Sequence, residues 1–246
     1  MLELLLLLVT GIATGFLNVM AGGGSMLSVP IMIFLGVPGT VANATNRIAI
    51  LPQNLSAVIA FYRKGFANFR LSLSLAACTI PGTILGAYLA ARVPNDQFNT
   101  LLAVIMLIIL VIMALPQAKT IEGTEHPGRA RMIAGHLLMV LIGFWGGFIH
   151  IGVGFLLMPA LNRVMRFDLI TTNSHKVFIV LCYTSVALLV FASQLDMIWK
   201  YGIALAIGTT IGGWLAANFQ VKQGIGAIKW TLNIVIIAFI IKLLFF

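Results

Sequence analysis

"NVMAGGGSMLSVP", residues 18–30, sets three consecutive glycines between two apolar runs. Glycine costs a helix interior about 1 kcal/mol relative to alanine, so three in succession end a helix. The run before them, 2–20, is long enough to cross a bilayer, whereas the run after them, 25–36, covers only about half to two-thirds of the hydrocarbon thickness. The stretch therefore reads as a membrane helix that breaks, followed by a short helix that carries a proline, Pro30.

The rest of the chain agrees with a membrane setting. Of 246 residues, 61% are hydrophobic and 9% charged, far from a soluble domain. Ten apolar segments follow one another: 2–20, 25–36, 45–62, 71–91, 98–115, 132–149, 152–164, 174–194, 198–218 and 228–246. None shows the short alternating pattern of a β-barrel strand. The opening "MLELLLLLVTG" has Glu3 where a signal peptide has basic residues, and reads as the first span. The net charge of +9 is spread singly or in pairs between apolar runs, as in loops that face anionic lipid, and no basic stripe exists to bind nucleic acid. Cys78 and Cys182 sit inside apolar runs without metal-ligand spacing, and neither a metal nor a cofactor is expected.

The glycine break recurs. "GGSMLSVP" (23–30) aligns with "GVGFLLMP" (152–159) at an offset of 129 residues, and the second short segment likewise carries a proline, Pro159. The same offset sets "NATNR" (43–47) on "TNSHK" (172–176), so Thr45 meets Ser174, Asn46 meets His175 and Arg47 meets Lys176. "GTILGAYLAA" (82–91) matches "GTTIGGWLAA" (208–217), and both read as small-residue helix-packing seams. The expected architecture is an all-α polytopic membrane protein of two repeats, 1–115 and 132–246, of about five helical segments each. Each repeat starts with a glycine-broken helix hairpin, and the polar linker 116–131 joins them.

Lysine and arginine give the orientation. With the loop at Arg63, Lys64 and Arg70 placed in the cytoplasm, ten basic residues fall inside and three (Arg92, Lys200, Lys242) outside. The linker 116–131 is then cytoplasmic too, and five segments per repeat, an odd number, make the two repeats inverted. Arg47 and Lys176 are the matched pair left over, each near the start of a long segment. A cation buried in lipid is costly, so they either face protein or a water-filled cavity, or snorkel to the headgroups.

Inverted repeats with interrupted helices are the pattern of a secondary transporter, whose half-helix ends bring unpaired N–H groups to a substrate near the membrane midplane. Ser25 follows the glycines and suits an N-cap or a ligand group. The glycines themselves serve either substrate approach or helix packing alone. All six acidic residues (Glu3, Asp96, Glu122, Glu125, Asp168, Asp196) fall in loops or termini. Helix N-termini, Arg47, Lys176, His150 and His175 favour a small oxyanion, and an inside-negative potential drives an anion outward without a coupling ion. A lone histidine is more often structural, and His126 and His136 read as solvated and interfacial.

The stretch "GIATGFLNVMAGGGSMLSVPIMIFLGVPGTVANATNR" (11–47) resembles the amino-terminal signature of the TauE/SafE sulfite exporter family, also called the toluene sulfonate uptake permease family. "GFWGGFIHIGVGFLLMPAL" (143–161) with "TTNSHKVF" (171–178) is similar to its second copy. The resemblance covers essentially the whole chain. It implies a multi-pass inner-membrane (plasma-membrane) transporter of sulfite, thiosulfate, sulfoacetate or other sulfonates, and a homodimer is compatible with it. Carried over residue by residue, the binding site takes Gly22, Gly23, Gly24, Ser25, Asn43, Thr45, Asn46 and Arg47 from the first half. The second half supplies Gly152, Gly154, Asn173, Ser174, His175 and Lys176, beside His150 in the break. The second break, "HIGVG", lacks three residues and the serine of "NVMAGGGS", which implies an asymmetric site.

Two other classes stay open at this level. One is a membrane scaffold or complex subunit, which the absence of soluble domains and long tails disfavours. The other is an intramembrane hydrolase pairing Ser25 with a histidine, against which the matched polar groups of the two halves speak.

Overall fold

The computed structural model describes residues 1–66, 68–114 and 128–223. The expected tenth segment (228–246), linker residues 116–127 and His126 lie outside them. The described chain is helical: α1 (Leu2–Ala21), α2 (Ser25–Phe34), α3 (Gly39–Tyr62), α4 (Phe69–Ala90), α5 (Asn95–Ala114), α6 (Arg129–Phe148), α7 (Val153–Pro159), α8 (Leu169–Gln194) and α9 (Trp199–Gln223). A π-helical turn, Ala160–Val164, extends α7 beyond Pro159. Among the described residues, five helices are long and apolar enough to cross a membrane: α1, α4, α6, α8 and α9.

Local chemistry sets the ends. Gly22 stops α1 in the left-handed conformation (φ 81°), its N–H bonded to the Asn18 carbonyl. The αL geometry is open to glycine at little cost and turns the chain back, so that Gly24 packs against Thr14 and Asn18 of α1. Asp168 caps α8, its carboxylate accepting from the N–H groups of Ile170 (2.8 Å) and Thr171 (3.0 Å). Asn68 does the same for α4 through Leu71 N–H, 3.2 Å.

Three boundaries differ from the hydropathy reading. α3 starts at Gly39, directly after Pro38 and without a side-chain cap, and α8 at Leu169, capped by Asp168, ahead of the expected 45 and 174. Arg47 and Lys176 therefore lie about two turns inside their helices, not at the starts. α6 begins at Arg129, inside the expected linker. The linker's last three residues, 129–131, are thus helical.

Polar residues are buried beside the apolar core, and many large apolar residues face out, unlike in a soluble bundle. Asn43, Thr45, Asn46 and Arg47 of α3 and Thr172 to Lys176 of α8 are buried, whereas Leu137, Leu141, Leu189 and Ile207 face out. α3 and α8 pack on each other at the centre.

The two small-residue stretches form seams, as their spacing predicts. On α9, a Cβ at Gly208 would meet the Leu8 carbonyl and Ile12 N of α1, and one at Gly212 the Ile12 carbonyl and Phe16 N. On α4, a Cβ at Gly82 would meet the Val140 carbonyl and Phe144 N of α6, and one at Gly86 the Phe144 carbonyl and Phe148 N. The partner glycines answer in the same register: Gly11 and Gly15 lie on Leu205 and Thr209, Gly143 and Gly147 on Thr79 and Thr83. Each contact of one seam has a counterpart in the other. In both, numbers rise together along the two helices, so α1 runs parallel to α9 and α4 parallel to α6. Only glycine lets backbones approach this closely, and the dispersion contact so gained holds helices together where lipid offers no hydrophobic drive.

These seams exchange the fourth helices. α4 belongs to the first half of the sequence but packs on α6 and α8, and α9 belongs to the second half but packs on α1 and α3. The two helix breaks and the polar stretches of α3 and α8 come together between the groups so formed.

Candidate functional site

The two breaks touch. A Cβ on Gly22 would fall on the Cα of Gly154, and a Cβ on Gly154 on the Cα of Gly22. Gly23 faces the ring of Phe155, with its Cβ position 3.3 Å from Cε2. Gly152, left-handed at φ 72°, opens α7 and lies against Ile109 of α5. Gly22, Gly23 and Gly154 thus form one contact between the halves.

The matched cations cross that contact reciprocally. Arg47 Nη1 donates to the Gly146 carbonyl (2.6 Å) and Nη2 to the Gly147 carbonyl (3.0 Å), at the broken end of α6. Lys176 Nζ donates to the Val19 carbonyl (2.6 Å) and, more weakly, the Asn18 carbonyl (3.4 Å), at the broken end of α1. A helix that stops leaves four carbonyls without partners and a partial negative charge, which a cation satisfies. Arg47 is 0% exposed and Lys176 2%, so neither snorkels. No salt bridge holds either cation among the described residues; carbonyls and the helix ends provide their balance.

The other matched polar residues split into a symmetric and an asymmetric pair. Thr45 Oγ1 accepts from Ile198 N–H (3.1 Å) just before α9, and Ser174 Oγ donates to the Phe66 carbonyl just before α4. Both therefore anchor the loop that leads into a fourth helix. Asn46 and His175 diverge. Asn46 Nδ2 donates to Ser25 Oγ (3.1 Å) and its Oδ1 accepts from Ser28 Oγ (2.8 Å), fastening α2 to α3. His175 Nδ1 pairs with Ser72 Oγ (2.7 Å) on α4, with its ring 5.0 Å from that of Phe167. The asymmetry implied by the missing serine of the second break lies here, because α7 offers no hydroxyl to His175.

Ser25 is the first residue of α2 rather than its cap; Gly24 holds the cap position and no side chain caps it. Its hydroxyl bonds an amide, so the Ser25–histidine pair of the hydrolase alternative is not formed by the described histidines.

Tyr183, which the sequence reading did not single out, joins His150 and Asn43 at the second break. His150 holds a left-handed conformation (φ 61°) just past the end of α6. Its Nδ1 is 2.7 Å from the hydroxyl of Tyr183, a fully buried residue of α8. Trp145 Nε1 donates to the Ile151 carbonyl (3.0 Å) across the same break. Asn43 Nδ2 donates to the Phe148 carbonyl, 3.0 Å. Hydroxyl and amide partners this distant in sequence leave no local pattern; only Ser28, three residues after Ser25, could have been read from helical spacing. Several buried atoms keep no partner: Asn43 Oδ1, Arg47 Nε, His150 Nε2 and both polar atoms of Asn173. An unpaired buried polar atom costs about 1–3 kcal/mol.

Comparison with known proteins gives a consistent result. The family model described as "Sulfite exporter TauE/SafE" matches residues 7–243. A probable membrane transporter protein of a Sinorhizobium species is 28% identical over 97% of this chain and 91% of its own length. A probable membrane transporter protein of Haemophilus influenzae is 24% identical over 90% of this chain and 86% of its own. One of Bacillus subtilis is 24% identical over 96% and 95%. No solved structure matches the chain.

Proposed function

Because the chain belongs to the TauE/SafE sulfite exporter family and is a multi-pass membrane transporter of that type, we propose that it exports small sulfur-containing anions across the inner membrane by alternating access. Sulfite, thiosulfate, sulfoacetate and other sulfonates are the class. The observation that carries this reading is the meeting of the two glycine breaks, with Arg47 and Lys176 each reaching across to the other half's broken helix. Buried cations, unpaired donors and no carboxylate at the breaks suit an anion and repel a cation.

Parallel packing of α1 with α9 and of α4 with α6 supports inverted repeats, since successive reversals would set a same-sense repeat antiparallel at those seams. The exchanged seams support a division into two moving bodies. One comprises α1, α2, α3, α5 and α9; the other α4, α6, α7 and α8. They rock across the α3–α8 contact, where the breaks and cations lie. Export follows from the inside-negative potential, worth about 2.3 kcal/mol per charge per 100 mV, with the 63–70 loop and the linker in the cytoplasm.

Proteoliposomes loaded with sulfite, thiosulfate or a sulfonate test the reading under an imposed potential. Potential-driven anion efflux is expected. Movement of cations only, or of no sulfur anion, refutes it.

A further inference from the structure

The broken end of α6 carries a set of unpaired atoms of mixed kind. Arg47 and Asn43 stand four residues apart on one face of α3, and both spend donors on the α6 end: Arg47 on Gly146 and Gly147, Asn43 on Phe148. This leaves Arg47 Nε and Asn43 Oδ1 unpaired. His150, two residues beyond Phe148, leaves Nε2 unpaired, and its partner Tyr183 lies against Gly146, whose carbonyl Arg47 holds. All three side chains are at most 1% exposed.

The protons can be assigned. Donation from the Tyr183 hydroxyl to His150 Nδ1 satisfies the buried hydroxyl hydrogen, which the opposite direction would strand, and so favours Nδ1 as the acceptor. A neutral imidazole that accepts at Nδ1 carries its hydrogen on Nε2. The Asn43 amide is fixed likewise, because only its NH₂ can donate to the Phe148 carbonyl. The unpaired set is therefore two donors, His150 Nε2–H and Arg47 Nε–H, and one acceptor, Asn43 Oδ1. The backbone supports a purpose for His150. α1 ends in left-handed Gly22, whereas α6 is followed by His150 in the same conformation, at a cost of about 1 kcal/mol that glycine would avoid.

We propose that this end of α6 binds a sulfur oxyanion in its singly protonated form, with two bare oxygens accepting from His150 and Arg47 and the O–H donating to Asn43. Tyr183 is a positioning residue that fixes the His150 tautomer. The proposal rests on the anion-transport reading and adds the protonation state: hydrogen sulfite is carried, while fully ionised sulfite would leave Asn43 Oδ1 facing a bare oxygen.

Equilibrium binding to the purified full chain tests it with sulfite, methanesulfonate and sulfate over the pH range in which sulfite takes up its proton. Methanesulfonate is a monoanion without an O–H and stays ionised throughout. Sulfite affinity is expected to fall tenfold per pH unit once the solution form is fully ionised, with methanesulfonate flat and about tenfold weaker than hydrogen sulfite, as one lost hydrogen bond implies. Sulfate, a dianion, should bind more weakly still. N43L is expected to bring hydrogen sulfite down to the methanesulfonate level; should that variant not fold, the wild-type comparison decides. Sulfite affinity that is flat or rises with pH, or methanesulfonate affinity that moves with pH, overturns the proposal. Binding of none of the three at any pH would instead overturn the anion-transport reading.

Discussion

Replacing Gly154 with alanine tests the contact on which the site is built. The new Cβ would fall on the Cα of Gly22, backbone against a helix break, so no side chain can swing away. Carbon atoms pack at about 3.5–4.0 Å, so the breaks must part by roughly 1.5 Å. The Arg47–Gly146 and Lys176–Val19 bonds cross the same contact at 2.6 Å each. Such a separation takes both to about 4 Å, beyond hydrogen-bonding range. Bonds to charged groups are worth about 1.5–3 kcal/mol each, so G154A should cost about 3–6 kcal/mol. At about 2–4 °C per kcal/mol for a chain of this size, the melting temperature should fall by at least about 6 °C. Thermal unfolding in detergent, followed by tryptophan fluorescence, measures it. Gly128→Ala is the control, because its Cβ meets nothing within 4 Å and its φ of −59° suits alanine. G154A melting within 2 °C of both wild type and G128A would refute the direct contact of the breaks.

Further outcomes follow from the same geometry. Gly86→Leu and Gly212→Leu occupy equivalent seam positions and should be equally disruptive, with loss of the monodisperse peak in size-exclusion chromatography for both. Tyr183→Phe keeps the ring but frees His150 Nδ1, and should weaken anion binding about tenfold while shifting the melting temperature little, measured by binding and unfolding side by side. Asn46→Leu leaves the Ser25 and Ser28 hydroxyls without their amide. It should lower the melting temperature by about 2–8 °C in the same unfolding assay, at about 1–2 kcal/mol for the two lost bonds.

Much of this was legible in sequence because the decisive features are local. Three glycines end α1, the GTILG and GTTIG spacings make seams, and the 129-residue offset pairs Arg47 with Lys176. The all-helical membrane class follows from hydropathy alone. What stayed hidden is long-range. Tyr183 meets His150 across 33 residues and Asn43 meets Phe148 across 105, and no periodicity encodes either. Hydropathy also misplaced the starts of α3 and α8, since an apolar window registers neither the Pro38 that precedes α3 nor the Asp168 cap of α8. The charges of Arg47 and Lys176 suggested a substrate contact or the headgroups. Their main bonds are instead to carbonyls, which a sequence does not display.

The exchange of fourth helices decides how such a molecule can move. If the halves of the sequence rocked as units, α1 would have to separate from α9 and α4 from α6, breaking two glycine seams at backbone contact. If the exchanged bodies rock, both seams persist, while the α3–α8 contact, the contact of the two breaks, the Asn43–Phe148 bond and the reciprocal cation bonds rearrange. Cysteine pairs separate the two cases in a background lacking Cys78 and Cys182. Phe16 and Phe219 join α1 to α9 with ring centroids 5.8 Å apart, and Phe69 and Phe178 join α4 to α8 at 5.5 Å. Each pair crosses the sequence halves yet stays within one body. Gly23 and Phe155 face each other between bodies. A short thiol cross-linker at Phe16/Phe219 or Phe69/Phe178 should leave transport intact, while the same linker at Gly23/Phe155 should stop it relative to the unlinked variant. Loss of transport on linking the two phenylalanine pairs would restore the sequence halves as the moving units. Retention in all three would remove rocking across the breaks altogether.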